Sequence, residues 1–187
     1  TYDPEENRLN SDVFTIGTAG GTPRRLTTSK ASDSSPTPSP DGTRLAFLSK
    51  RDGDKQPQLY ILATDGGEAE RVTDMPMGVQ DPKWFADGRR IAFVSHVVIG
   101  SESTEAAKNL LEDREKKKVK AVVTENRLFR YWDRWLEPDE FPHLFVLDLT
   151  TRKVEDLLPG SRRYFELRDG SGSYDISPDG RLIAFAA

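Results

Sequence analysis

The sequence predicts an all-β fold, a partial β-propeller of four-stranded antiparallel blades with an inserted helix. Three observations carry this. SPDGTRLAF (39–47), FADGRRIAF (85–93) and SPDGRLIAF (177–185) are variants of one nine-residue pattern. Gly42 and Gly88, in the first two, stand 46 residues apart. A second pattern, IGTAGGTPRRLT (16–27) and LATDGGEAERVT (62–73), recurs at the same 46. Two separate motifs on one period mark a repeat architecture, and four short strands in roughly 40 to 50 residues make a propeller blade. A β-sandwich with fortuitous internal likeness is the alternative, and it leaves the shared period unexplained.

The elements follow in chain order. Residues 1–30 supply the end of one blade, with VFTIGTAGG (13–21) as a strand entering a Gly-Gly turn and RRLT as the last strand. Residues 31–75 form a full blade. Its inner strand enters the turn at PTPSPDG. The run Leu45-Ala46-Phe47-Leu48 is the second strand, LYILATDGG (59–67) the third and ERVT the fourth. Residues 76–160 repeat this with PKWFADG, the run Ile91-Ala92-Phe93-Val94, HLFVLDLTT (143–151) and VEDLL, interrupted by an insertion at about 97–141. Residues 161–187 begin another blade with YDISPDG and Ile183-Ala184-Phe185. Asp-Gly and Gly-Gly are tight-turn chemistry, because glycine takes positive φ without steric cost. Each SPDG-type string therefore reads as the hairpin between a blade's inner and second strands. Alanine between two larger apolar residues suits a strand packed between neighbouring blades.

About three blade equivalents cannot close a ring, since propellers have about four to eight blades. The missing neighbours lie elsewhere, or another copy covers the open faces, so the chain is expected to self-associate. The chain starts at Thr1 without an initiator methionine and stops at Ala187 inside a strand-like run, which reads as a fragment of a longer protein.

The insertion begins with SESTEAAKNLLEDREKKKVKA (101–121), which has helical composition. Ala106, Leu110, Leu111 and Val119 give partial apolar periodicity, and residues 101–104 offer N-cap candidates. Glu102 and Glu105 near the start and Lys116, Lys117, Lys118 and Lys120 near the end complement the helix dipole. A solvated surface helix and a lid facing a partner are both open readings. The following RLFRYWDRWLE (127–137) alternates aromatic and charged residues, as a half-buried strand does. On one continuous strand, Tyr131, Asp133 and Trp135 share a face, and Arg130, Trp132 and Arg134 share the other.

The SPDGxxIAF repeats resemble the TolB-like propeller repeat. FADGRRIAFVS, the acidic-to-basic helix ending in KVKA, RLFRYWDRW and HLFVLDLTT together resemble the N-terminal propeller of the prolyl oligopeptidase family of serine peptidases, on the acylaminoacyl-peptidase and dipeptidyl-peptidase-like branch. The resemblance implies a propeller that gates access of small peptides to a separate α/β-hydrolase domain of the parent protein. It also implies that inserted segments reach the shared cavity, which makes Tyr131, Asp133 and Trp135 the candidate substrate-binding residues. A salt bridge from Asp133 to a neighbouring strand is the structural alternative. A TolB-like protein-interaction propeller without a peptidase partner is the alternative function.

Composition narrows the chemistry. The net charge of −4 argues against a nucleic-acid partner, whose domain is usually basic. No apolar run approaches the ~18 residues of a membrane helix. The absence of cysteine removes disulfides and thiolate metal sites and favours the cytoplasm, with the periplasm as the alternative. No G-x-S-x-G elbow occurs, and GSGSYD (170–175) does not match it. His96 and His143 sit at strand ends and read as structural, so no catalytic residue is assigned within the chain. Asp52-Gly53-Asp54 reads as a turn, since no full calcium loop follows it. No cofactor or metal is expected.

Overall fold

The computed structural model describes residues 2–3, 8–51, 53–101, 103–118, 130–131, 134–135, 137, 139–164 and 174–187. Ahead of the blades, β1 (Tyr2–Asp3) pairs with β2 (Arg8–Leu9). The strands β3 (Phe14–Thr15) and β4 (Arg24–Arg25) then form a hairpin around the first Gly-Gly turn.

Two complete four-stranded antiparallel sheets follow. The first runs β5 (Asp33–Pro38), β6 (Arg44–Ser49), β7 (Gln58–Ala63) and β8 (Glu70–Arg71), neighbours in chain order. The second runs β9 (Gln80–Trp84), β10 (Arg90–Val98), β13 (Glu140–Asp148) and β14 (Val154–Asp156). Between β10 and β13 lie α1 (Thr104–Lys116) and the short strands β11 (Arg130–Tyr131) and β12 (Arg134–Trp135). A last hairpin joins β15 (Tyr174–Ile176) to β16 (Ile183–Phe185). The fold is a partial β-propeller with one helix among the described residues.

The Ser-Pro-Asp-Gly turn closes by local bonding. The Ser39 hydroxyl donates to Asp41 Oδ1 at 2.6 Å and accepts from the Arg44 amide at 3.0 Å, while the Thr43 amide donates to Asp41. Hydrogen bonds from Ser39 and then Thr43 hold the Asp41 carboxyl down at about 2. Ser177, Asp179, Arg181 and Leu182 repeat the same bonds. Phe85 replaces serine in the middle copy, where Asp87 caps both Arg89 and Arg90. The turn glycines need their freedom twice over. Gly180 has φ of 65°, and a Cβ there would stand 3.3 Å from the Arg90 guanidinium of the preceding blade. Arg44 likewise reaches forward to donate to the Gly88 carbonyl at 2.5 Å.

The apolar strands are buried on both faces. Leu45 and Phe47 pack back against Val13, Tyr60 and Leu62. Ala46 and Leu48 of the same strand pack forward against Ile91, Phe93 and Val79. Ala92 and Val94 then meet Phe85, Leu144 and Tyr174. Small alanines on one face thus accommodate the next blade's phenylalanine. The inner strands add polar ties: Trp84 Nε1 donates to the Thr37 carbonyl at 2.9 Å, and the Tyr174 hydroxyl to the Asp81 carbonyl at 2.6 Å. Both complete inner strands carry a bulge at one repeat position, with Ser35 at φ 51° and Asp81 at φ 43°.

Two expectations need correction. RLFRYWDRWLE is not one continuous strand: β11 and β12 pair antiparallel, Arg130 with Trp135 and Tyr131 with Arg134. The chain reverses between them, so the alternation that grouped Tyr131, Asp133 and Trp135 does not run through. The helix also turns differently from the apolar reading. Its one buried residue among those described is Ala107, and Leu110 is exposed. Ser103 is the N-cap and accepts from the Ala106 amide at 3.1 Å. Val119 and Lys120 lie outside the described residues. No described helix is long and apolar enough to cross a membrane.

Candidate functional site

Antiparallel strands in chain order send successive turns to opposite ends of a blade. The Asp-Gly and Gly-Gly turns share one end, where the Thr64 hydroxyl donates to the Gly42 carbonyl at 2.8 Å. The β6–β7 loop, the β8–β9 connection and the whole insertion share the other. The insertion leaves the blade on a stalk, with His96 paired to Pro142, Val97 to Phe141 and Val98 to Glu140. His96 therefore lies inside β10 rather than ending it.

From the stalk, α1 reaches back over the preceding blade. Lys108 pairs with Asp74 in the β8–β9 connection, and Glu112 accepts from Lys55 of the β6–β7 loop at 2.6 Å. Arg114 bonds Asp139 and, at 3.0 Å, Glu140 at the foot of β13. The Lys108 and Lys55 bonds hold Asp74 and Glu112 below the usual carboxylate range, so both are ionised at neutral pH. Such exposed pairs fix position more than they stabilise. Beneath the helix lies a cleft of about 670 Å³. Met75, Pro76, Met77 and Leu111 give it apolar surface, and the ion pairs rim it. Glu137, two residues beyond β12, lines it as well.

The histidine and acids nearest to this region are held by structural partners. His143 is fully buried, with Nδ1 2.7 Å from Asp156 Oδ2 and Nε2 3.0 Å from the Ser161 carbonyl oxygen. Both nitrogens are committed to structural partners. Asp54 is likewise occupied: it accepts from the Tyr60 hydroxyl at 2.7 Å and the Arg51 amide at 3.1 Å. Among the described residues no cluster of three or more His, Asp or Glu is placed to hold a metal ion. Asp133 lies outside the described residues. Tyr131 lies on β11 and Trp135 on β12, which pair with each other. The cleft itself was not read from the sequence; Lys108 and Glu112, one helical turn apart, were its only local sign.

Residues 5–126 match the TolB beta propeller domain. The chain belongs to that family. This TolB-type propeller chain is also 28% identical over 190 residues to dipeptidyl-peptidase 5 of Porphyromonas gingivalis, across 99% of its own length and 26% of the relative. It is 42% identical over 53 residues to the Protein TolB homolog of Chlorobium luteolum, which covers 28% of the chain and 12% of that protein. Among solved structures, acylaminoacyl peptidase of Pyrococcus horikoshii superposes with a TM-score of 0.60 at 16% identity, over 83% of this chain and 22% of that one. A structure assigned as TolB from Agrobacterium tumefaciens gives 0.56 at 23% identity, over 94% and 50%. The chain thus spans about a quarter of the length of the dipeptidyl-peptidase it matches.

Proposed function

We propose that this chain is the non-catalytic part of a serine peptidase of the prolyl oligopeptidase family, in which the propeller limits a hydrolase domain to small peptides. The supporting observation is the reach of the dipeptidyl-peptidase 5 likeness. It runs over 99% of the chain and so includes the insertion, whereas the TolB homolog match covers 28%. In this reading residues 1–30 close one blade, 31–75 and 76–160 are whole blades, and 161–187 open the next. The hydrolase domain and a peptide substrate are the partners. The chain itself hydrolyses nothing. Purified alone, it is expected to leave dipeptidyl and acylaminoacyl p-nitroanilides intact, while the parent protein cleaves one class of them. Inactivity of the parent, or a reading frame without a nucleophile elbow, favours a TolB-like interaction module instead.

Self-association follows from the open faces. Phe14 and Ile16 are more than half exposed, yet their repeat equivalents Tyr60 and Leu62 are buried between blades. Leu182 is exposed at the other end. The chain alone is expected to sediment as oligomers, and a monodisperse monomer of high melting temperature contradicts this.

The hairpin supplies the substrate contact in this proposal. In sequence Asp133 falls between Tyr131 of β11 and Trp135 of β12. A carboxylate there pairs with a peptide's ammonium, and an aromatic face adds cation–π attraction of about 0.5–2 kcal/mol. Asp133→Asn in the parent enzyme is expected to lower kcat/KM on free-amine peptides while sparing N-blocked ones. Equal loss on both, with a lower Tm, makes the residue structural.

A further inference from the structure

Two positions recur across the blades with changing chemistry. One stands two residues before the aromatic of the third strand (Phe14, Tyr60 and Phe145), and holds Asp12, Gln58 and His143 in successive blades. The other lies 13 residues on, in the fourth strand, and holds Arg25, Arg71 and Asp156. Asp12 pairs with Arg25 at 2.7 Å. Gln58 bypasses Arg71: its Oε1 accepts from the Thr73 hydroxyl and the Met75 amide, both at 2.9 Å, and its Nε2 donates to the Met75 carbonyl at 2.8 Å. His143 reverses the polarity of the first pair, with the acid now on the fourth strand. In each case one buried side chain ties down the outer edge of its blade.

The histidine version differs in one respect. Both groups facing the ring, the Asp156 carboxylate and the Ser161 carbonyl, are acceptors. A neutral imidazole carries one N–H, so only the imidazolium satisfies both. The neutral ring, itself fully buried, aims a lone pair at one of these oxygens, an unmade hydrogen bond that costs most at the Ser161 carbonyl because the Asp156 side chain is partly open to solvent. The other charged or titratable groups near the ring line a cavity that it shares with them. They are His96 from β10, Arg71 and Asp74 from β8 and the connection after it, and Arg152 from the β13–β14 turn. Arg71 is engaged by Asp54 and Asp74, and Arg152 by Glu70. Asp156 is the charged group that bonds the ring directly, at Nδ1.

We propose that His143 and Asp156 form a pH-dependent clasp on the exit of the insertion-bearing blade. The protonated ring holds β14 and the segment around Ser161 together, the neutral ring lets that segment loosen, and the Gln58 clasp of the preceding blade does not respond. Burial opposes charge on His143, but the Asp156 hydrogen bond, the Ser161 carbonyl and the Asp156 charge outweigh it, so its pKa is raised above 6.5. A raised folded value places the clasp's full contribution below the unfolded value and removes it as pH climbs through the folded one.

Amide hydrogen exchange in the whole protein, corrected for intrinsic rates, tests this at residues 157–164 against residues 72–77. Protection of the first segment relative to the second is expected to fall about tenfold as pH rises from about 6 to about 9. His143→Gln should flatten that ratio, because an amide clasp does not titrate. Asp156→Asn should move the midpoint to lower pH, because the ring loses its carboxylate. A ratio independent of pH in the unmodified protein overturns the proposal, as does pH dependence that survives His143→Gln. If His143→Gln does not fold, the unmodified protein and the Asp156→Asn midpoint decide it.

Discussion

Phe93→Ala is expected to lower unfolding free energy by about 3–5 kcal/mol, the range for removing a large aromatic from a packed core. Phe93 is fully buried and stacks on Phe145 of the neighbouring strand at 5.5 Å. Its ring faces the preceding blade, against Ala46, Leu48, Leu59 and Ile61. The substitution opens a void within one blade and also empties the seam between two. The repeat offers a control. Phe185 is the same residue of the third copy and is 38% exposed. Phe185→Ala should cost under about 1 kcal/mol, in line with surface changes. Chemical denaturation of the two variants separates the readings. Equal losses would mean that the seam between blades does not hold the stability assigned to it.

The blades were legible in the sequence because their determinants are local. Asp41 and Ser39 close their own turn, and Gly42 takes positive φ within it, so SPDG carries its structure wherever it stands. The Ile-Ala-Phe runs were legible for a second reason. A strand buried on both faces shows a continuous apolar run, and the small alanine marks the side where a neighbour comes close. The inner-strand bulges at Ser35 and Asp81 were not foreseen, although both precede a proline at one repeat spacing. The hairpin at residues 130–135 was misread because aromatic and charged residues alternate through it without glycine. Alternation alone does not reveal a reversal. The cleft was hidden for another reason. The bond from Lys55 to Glu112 spans 57 residues, and it forms because the insertion stalk turns α1 back over the earlier blade. Neither residue announces the other in sequence.

The second large effect belongs to Gln58, a residue with no sequence signature beyond its place in the repeat. It is 3% exposed and makes four bonds that no apolar side chain replaces, the longest from Nε2 to the Gln56 carbonyl at 3.4 Å. In Gln58→Leu the Thr73 hydroxyl and the Met75 amide lose their acceptor, while the Met75 carbonyl keeps the Gly78 amide at 3.0 Å. Each buried group left unpaired costs about 1–3 kcal/mol, and Met75 is only partly buried, so water recovers some of the loss. A total of about 2–4 kcal/mol is expected by denaturant unfolding. Gln56→Leu, an exposed change two residues earlier, should stay within about 0.5 kcal/mol. The consequence extends beyond stability. Gln58 holds Met75 in place, and Met75, Pro76 and Met77 line the cleft under α1. Loosening Met75 should raise hydrogen exchange at residues 75–79 and in the α1 residues that pair with Asp74 and Lys55, leaving the Asp-Gly turns at the opposite end protected. Loss spread evenly over both ends of the blade would instead make Gln58 a general core residue and break its link to the cleft.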